Sequence, residues 1–207
     1  QHQSISFEHF KHEDGLSAPV TKIAQDSFGF LWLGSMDGLN RFDGTTFKIF
    51  RHDRNNPYSI ADNRCNGIAE DGSGNIWVGT YEGISIYHAK QERFENLFLD
   101  FPGLNQEIIN RVQNVVRDND GNIWISSTLL AKYDQNQRKI IYFRNQANLP
   151  ASISDNSAIQ CIFFDKHNNG IWVTTALELN FFDISTGQFY HRRNNPRHWQ
   201  IFNLSVD

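Results

Sequence analysis

The chain is short of cysteine, of long apolar runs and of positive charge, and each shortage removes something. Two cysteines in 207 residues say nothing firm about redox compartment. No stretch approaches the roughly 20 consecutive apolar residues that a membrane helix requires. With 19 Lys and Arg against 23 Asp and Glu, a formal net charge of -4 and no basic run, a nucleic-acid backbone is a poor partner. Eight histidines (His2, His9, His12, His52, His88, His167, His191 and His198) are scattered without His-Glu-x-x-His or similar ligand spacing. No catalytic residue, metal or cofactor is therefore expected. What is present is a 39% hydrophobic, 14% aromatic composition, ample for a core.

Those aromatic residues are ordered. Asp71-Gly72-Ser73-Gly74-Asn75-Ile76-Trp77-Val78-Gly79-Thr80-Tyr81-Glu82-Gly83-Ile84 recurs in recognisable form around Trp32, Trp124 and Trp172, at spacings of 45, 47 and 48 residues. The leading aspartates Asp26, Asp71, Asp118 and Asp165 keep step with them. One Trp and one Gly-bearing turn per unit of this length is the signature of a β-propeller blade. In Asp-x-x-Gly the carboxylate accepts from the turn's own N–H groups, and the glycine takes a left-handed conformation. In the fourth repeat an extra residue separates Asp165 from Gly170, the glycine read into that turn. Ile76-Trp77-Val78 does not alternate and reads as a strand buried on both faces. A second turn leads into Ile84-Ser85-Ile86-Tyr87, and Arg93 to Phe98 supplies an outer strand. With the apolar segment before the aspartate, each repeat makes four antiparallel strands, a to d.

The fold expected is all-β: four blades at 20–50, 65–98, 112–143 and 159–190, with an outer strand at 4–10 and the start of a fifth blade at 201–207. Polar connectors between blades repeat too, Asn56 to Asn63 matching Leu149 to Asn156. Stray strands at both ends leave edges unpaired, so the expectation is an incomplete propeller whose native protein carries further blades. Cys65 and Cys161 fall in the inner strands of blades two apart, where they are expected to be unbridged and buried as small apolar side chains. The start at Gln1 is compatible with a removed export signal.

The best-kept repeat, Asp-x-x-Gly-x-Ile-Trp-Val-Gly-Thr-x-x-Gly-Ile, resembles the two-component regulator propeller repeat. Asp14-Gly15-Leu16-Ser17 and Gly38-Leu39-Asn40-Arg41-Phe42-Asp43-Gly44 resemble the usual beginning of such sensors. The resemblance implies the N-terminal part of the periplasmic sensor of a hybrid two-component system in glycan-degrading bacteria, with seven-bladed propellers. A membrane helix, histidine kinase and response-regulator parts would lie further along, so this chain would be non-catalytic and make no membrane contact. An oligosaccharide ligand and a homodimeric full-length receptor are the partners implied. Competing readings are a lyase-like propeller enzyme and a general protein-interaction propeller. The scattered histidines disfavour the first, and the placement of Trp, unlike that of tryptophan-aspartate repeats, disfavours the second.

Ligand contact is expected on the face that carries the b-to-c turns and the d-to-a connectors. Asp37, Tyr81, Glu82 and Glu178 from the turns and Arg64, Arg111, Asn156 and Trp199 from the connectors are the principal candidates. Met36, Leu129, Arg51, Tyr58 and Asn110 stand beside them. Aromatic rings stack on sugar faces, and Arg, Asn and acidic groups satisfy hydroxyls. Leu130 and Glu178 replace Gly38 and Gly83, so those two turns are expected to follow another backbone path. Asp118 to Asn122 is a hairpin turn and not a calcium loop, since Leu129 stands where the closing glutamate would be. The four repeat tryptophans are expected in the core.

Overall fold

Four antiparallel four-stranded sheets follow one another along the chain in the computed structural model, which describes residues 7, 9–192 and 194. The first sheet is β1 (Val20–Gln25), β2 (Leu31–Ser35), β3 (Gly38–Phe42) and β4 (Phe47–Phe50). The second is β5 (Cys65–Glu70), β6 (Ile76–Thr80), β7 (Gly83–His88) and β8 (Arg93–Leu97). The third is β9 (Asn114–Arg117), β10 (Ile123–Ser126), β11 (Leu130–Asp134) and β12 (Lys139–Phe143). The fourth is β13 (Ile159–Asp165), β14 (Gly170–Thr175), β15 (Leu179–Asp183) and β16 (Gln188–Tyr190). Each strand pairs with its sequence neighbours, which is the blade of a propeller. Helix among the described residues is confined to a 3-10 turn at His12–Asp14 and to α1 (Gln106–Ile109). No described helix is long and apolar enough to cross a membrane. Of the expected outer strand at 4–10, only Phe7, His9 and Phe10 are described, and they carry no strand. The Phe10 ring packs edge-on to Phe42 and Phe47, at 4.9 and 5.8 Å. Residues 201–207 lie outside the described residues.

The repeat's aspartate does more than close a turn. One oxygen of Asp71 accepts from the N–H groups of Ser73 and Asn75 at 2.8 and 3.0 Å, and the other accepts the Trp77 indole N–H at 3.0 Å. Asp26 binds Phe28, Phe30 and the Trp32 indole in the same way, at 3.0, 2.9 and 2.8 Å. The Trp124 indole reaches Asp118 at 2.8 Å and the Trp172 indole reaches Asp165 at 3.0 Å. So an indole N–H that burial would leave unpaired is satisfied by the group that shapes the preceding turn. Burial pushes the Asp71 carboxyl up, but the bonds from Trp77 and Asn75 outweigh it and hold the group below its ordinary range.

In three repeats the left-handed turn residue is a glycine, namely Gly29, Gly74 and Gly121, at φ 94, 80 and 86°. The fourth repeat corrects the sequence reading. Asn169 takes the left-handed place at φ 49°, a conformation asparagine tolerates better than most residues. Gly170 begins β14 instead, and a Cβ there would sit 2.1 Å from the Phe181 ring.

The hydrophobic cores lie between sheets. Trp32, Ile68, Ile76, Tyr87 and Phe94 join sheets one and two. Trp77, Ile86, Val115, Ile123 and Ile125 join two and three, and Trp124, Ile162, Ile171, Val173 and Phe182 join three and four. Inner strands are tied by side chains as well: Thr21 to the Cys65 carbonyl at 2.6 Å, Asn66 to that of Val112 at 3.0 Å, and Asn114 to that of Ile162 at 3.2 Å.

The two ends show the same logic. Ile68, Val115 and Ile162 face a preceding sheet and are 5%, 1% and 2% exposed, whereas Ile23, at the same position in the first sheet, is 60% exposed. At the other end Phe163 is 62% exposed, and Cys161 shares its side of β13. The expectation that both cysteines are buried therefore fails for Cys161, which is exposed because no sheet among the described residues covers that side. Cys65 is fully buried and free, its thiol pushed up to about 12 by desolvation. Three of the four repeat tryptophans are buried, and Trp172 is half-buried on that same side of the fourth sheet.

Candidate ligand-recognition face

On the face carrying the b-to-c turns, the first two sheets differ from the last two. Ser35 pairs with Gly38 and Thr80 with Gly83, leaving two-residue hairpin loops. Both glycines have positive φ, 110 and 102°, and their N–H groups donate to the Asn63 and Asn110 carbonyls, each at 2.8 Å. Each turn is thereby fastened to the connector that follows it. One rung earlier Gly79 pairs with Ile84 across four residues; at that rung Ser126 in the third sheet pairs with Leu130 across three, and Thr174 in the fourth pairs with Leu179 across four. Neither Leu130 nor Glu178 has positive φ. The third turn takes its altered path by losing one residue, and the fourth keeps the residue count of the second, the Thr175 N–H donating to the Glu178 carbonyl at 2.9 Å, with no backbone strain at Leu130 or Glu178.

The shortened third turn helps wall a cavity of about 360 Å³. Ser127 and Thr128 line it from the turn, Ile108, Arg111 and Gln113 from the second connector, and Ala158, Ile159 and Gln160 from the entry to β13. The connector is shaped by its asparagines. Asn105 caps α1 by accepting from the Ile108 N–H at 3.2 Å. Asn110 turns inward, accepting from the Leu99 N–H at 2.7 Å and donating to the Leu99 and Gln106 carbonyls at 3.0 and 2.8 Å. Arg111 is left on the outside, where it meets Glu107 at 2.7 Å. Asn110 and Leu129, expected as possible contact residues, are both buried and present no side chain to a ligand.

The remaining candidates stand in separate groups. The Arg51 guanidinium binds Asp37 at 2.9 Å, and that hydrogen bond holds the Asp37 carboxyl below its ordinary range. Arg64 lies over the Tyr81 ring at 4.4 Å and grips Asp62 at 2.8 and 3.0 Å. Glu82 is close enough to act on the Arg64 charge. The Asn156 side-chain carbonyl accepts from the Asn145 N–H at 2.8 Å, matching Asn63 on the His52 N–H at 2.7 Å, so its first job is to fold the connector. Glu178 lies 3.9 Å from the buried His191. Trp199 lies outside the described residues. Of the principal candidates, the 360 Å³ cavity includes Arg111 alone. Gln113, Ser127, Thr128 and Gln160 were missed by sequence reasoning, though Leu130 in place of glycine was a signal that the adjoining turn had changed.

Among the described residues no group of three or more His, Cys, Asp and Glu side chains could hold a metal ion. The two component regulator propeller family matches residues 59–82 and 106–128, the second segment running from α1 through Thr128. The chain carries two-component regulator propeller repeats. Over 62 residues the chain is 47% identical to Histidine kinase P4 of Formosa agariphila, a match covering 30% of this chain and 4% of that protein. The extracellular domain of BT4673, a proposed hybrid two component system from B. thetaiotaomicron, superposes with TM-score 0.64 at 27% identity, covering 86% of this chain and 22% of that one. The corresponding domain of BT3049 gives 0.63 at 23% identity, covering 88% and 31%, and attests the fold alone. The chain thus spans less than a third of the length of each of these proteins.

Proposed function

We propose that this regulator-propeller chain is a non-catalytic, extracytoplasmic sensor region of a hybrid two-component system. In that reading the region lies in the periplasm, contributes to oligosaccharide recognition and signals from a homodimeric receptor. The cavity beside Arg111 carries the proposal. It is concave, it lies on the face where the turns depart from the repeat, and it offers a guanidinium, two amides and the Thr128 hydroxyl to sugar hydroxyls. Ligand binding there would draw α1, the third turn and the start of β13 together, three segments of two adjoining blade boundaries. A signal requires that the ligand bind two receptor states unequally, and a change in the packing of neighbouring blades is the difference available here.

The test is calorimetric titration of a panel of glycans into the complete sensor, repeated with Arg111→Ala and Gln160→Ala. One glycan should bind, and each substitution should weaken it by about tenfold, the loss of a hydrogen bond or two. Absence of heat with every glycan, or binding indifferent to both substitutions, would refute the reading.

A further inference from the structure

A second cavity, of about 200 Å³, lies among the a-to-b turns of the second and third sheets and is lined by Gly72, Ser73, Arg117, Asn119, Asp120 and Gln135, among others. The repeat itself shows what belongs there. Between the first two sheets, Glu70 at the end of β5 sends its carboxylate onto the preceding turn, accepting from the Ser27 N–H at 2.9 Å and the Ser27 hydroxyl at 2.6 Å. One blade on, Gly72 stands for Ser27 and Arg117 for Glu70. The charge is reversed, and a guanidinium cannot accept from the Gly72 N–H. Arg117 lies against that turn, its Nη2 3.3 Å from where a Gly72 Cβ would be, and among the described residues it forms no ion pair. The Gln135 side-chain amide, just past the end of β11, has a buried nitrogen without a hydrogen-bond partner.

We infer that this cavity binds a small hydroxylated carboxylate, a sugar acid in size, whose carboxylate takes the place that Glu70 fills in the neighbouring boundary. Arg117 and the Gln135 amide donate to it, as the guanidinium fork and a buried unpaired donor require. Asp120, Asn119 and Ser73 are left for the hydroxyls. The site stands apart from the Arg111 cavity and does not rest on it.

Galacturonate and galactose, which share a ring and differ in the carboxylate, are the probes, titrated into the intact protein by calorimetry. Galacturonate should bind and galactose should not. Arg117→Glu restores the pattern of the neighbouring boundary, so it should keep the melting temperature and lose galacturonate binding by more than about tenfold. Gln135→Leu, which removes the unpaired amide, should weaken binding by about threefold to tenfold and serves if Arg117→Glu does not fold. No binding of galacturonate, equal binding of the two sugars, or binding unchanged in the folded variants would overturn the assignment.

Discussion

The first two sheets and the last two are built on one plan and fastened differently. In the first pair a glycine in strand b lets the next inner strand come close: a Cβ at Gly34 would be 2.8 Å from the Cys65 carbonyl oxygen, and one at Gly79 would be 2.5 Å from Val112 Cγ1. Ser126 and Thr174 occupy those places in the second pair, and the Ser126 hydroxyl donates to the Asn114 carbonyl at 3.4 Å. The connectors repeat the contrast. Asp62 pairs with Arg64, whereas Asp155, at the same connector position, accepts from the Thr175 hydroxyl at 2.7 Å and also from the Ser157 hydroxyl. The difference separates two layers of the repeat. Aspartate, tryptophan and the inner-strand ties hold the blades in place in both halves, while the b-to-c face is free to change.

If the deep layer is shared, Trp77→Ala and Trp124→Ala should each cost about 4 kcal/mol, the ordinary loss for a buried large aromatic. Denaturant melts of the two variants would check this, and unequal costs would break the equivalence of the halves. The next effect should divide them. Gly79→Ala, which forces a methyl against Val112, should cost about 2 kcal/mol, and Ser126→Ala should cost less than about 1 kcal/mol. A tolerated Gly79→Ala would remove close approach as the reason for that glycine.

A smaller effect should appear only at the right pH. Burial pushes the Asp155 carboxyl up, but the bonds from Ser157 and Thr175 outweigh it and hold the group below its ordinary 3.8. Folding therefore favours its ionised form, so its contribution is present above pH 3.8 and is lost as pH falls through the lower value of the folded state. Asp155→Asn should cost about 1 kcal/mol near neutrality, and the gap from the parent should close on acidification. A gap independent of pH would show that the carboxylate charge is irrelevant there. The smallest perturbation is a label: maleimide should modify Cys161 rapidly in the native protein and leave Cys65 untouched until unfolding, as their exposures and the raised Cys65 thiol require. Mass spectrometry of the labelled peptides would read it.

Most of the fold was legible because its determinants are local. The Asp-x-x-Gly turn, the unalternating strand around Trp77 and the period of the array announce four-stranded blades without any knowledge of long-range contacts. The Asp71 to Trp77 bond was not read from the sequence, although both residues had been singled out, because spacing does not tell which side of a strand an indole N–H will face. Cys161 was misjudged for a related reason: burial of an inner strand is conferred by a neighbouring sheet and not by its own residues. The recognition face was the least legible. Leu130 announced a changed turn, but Gln113 and Gln160 meet Arg111 only through the packing of successive blades. Arg117 became informative once the structure had shown what Glu70 does.

Each hydrophobic cluster here is held in common by two sheets, so three joints serve four blades among the described residues. An open row of such units always has one joint fewer than it has members, and the outermost members are each half dressed. A piece that met both ends at once would add two joints in a single step, a gain no intermediate piece can offer. The last blade to arrive in any ring made this way therefore brings more cohesion than those before it, and an array of this kind resists losing any single member once it has closed.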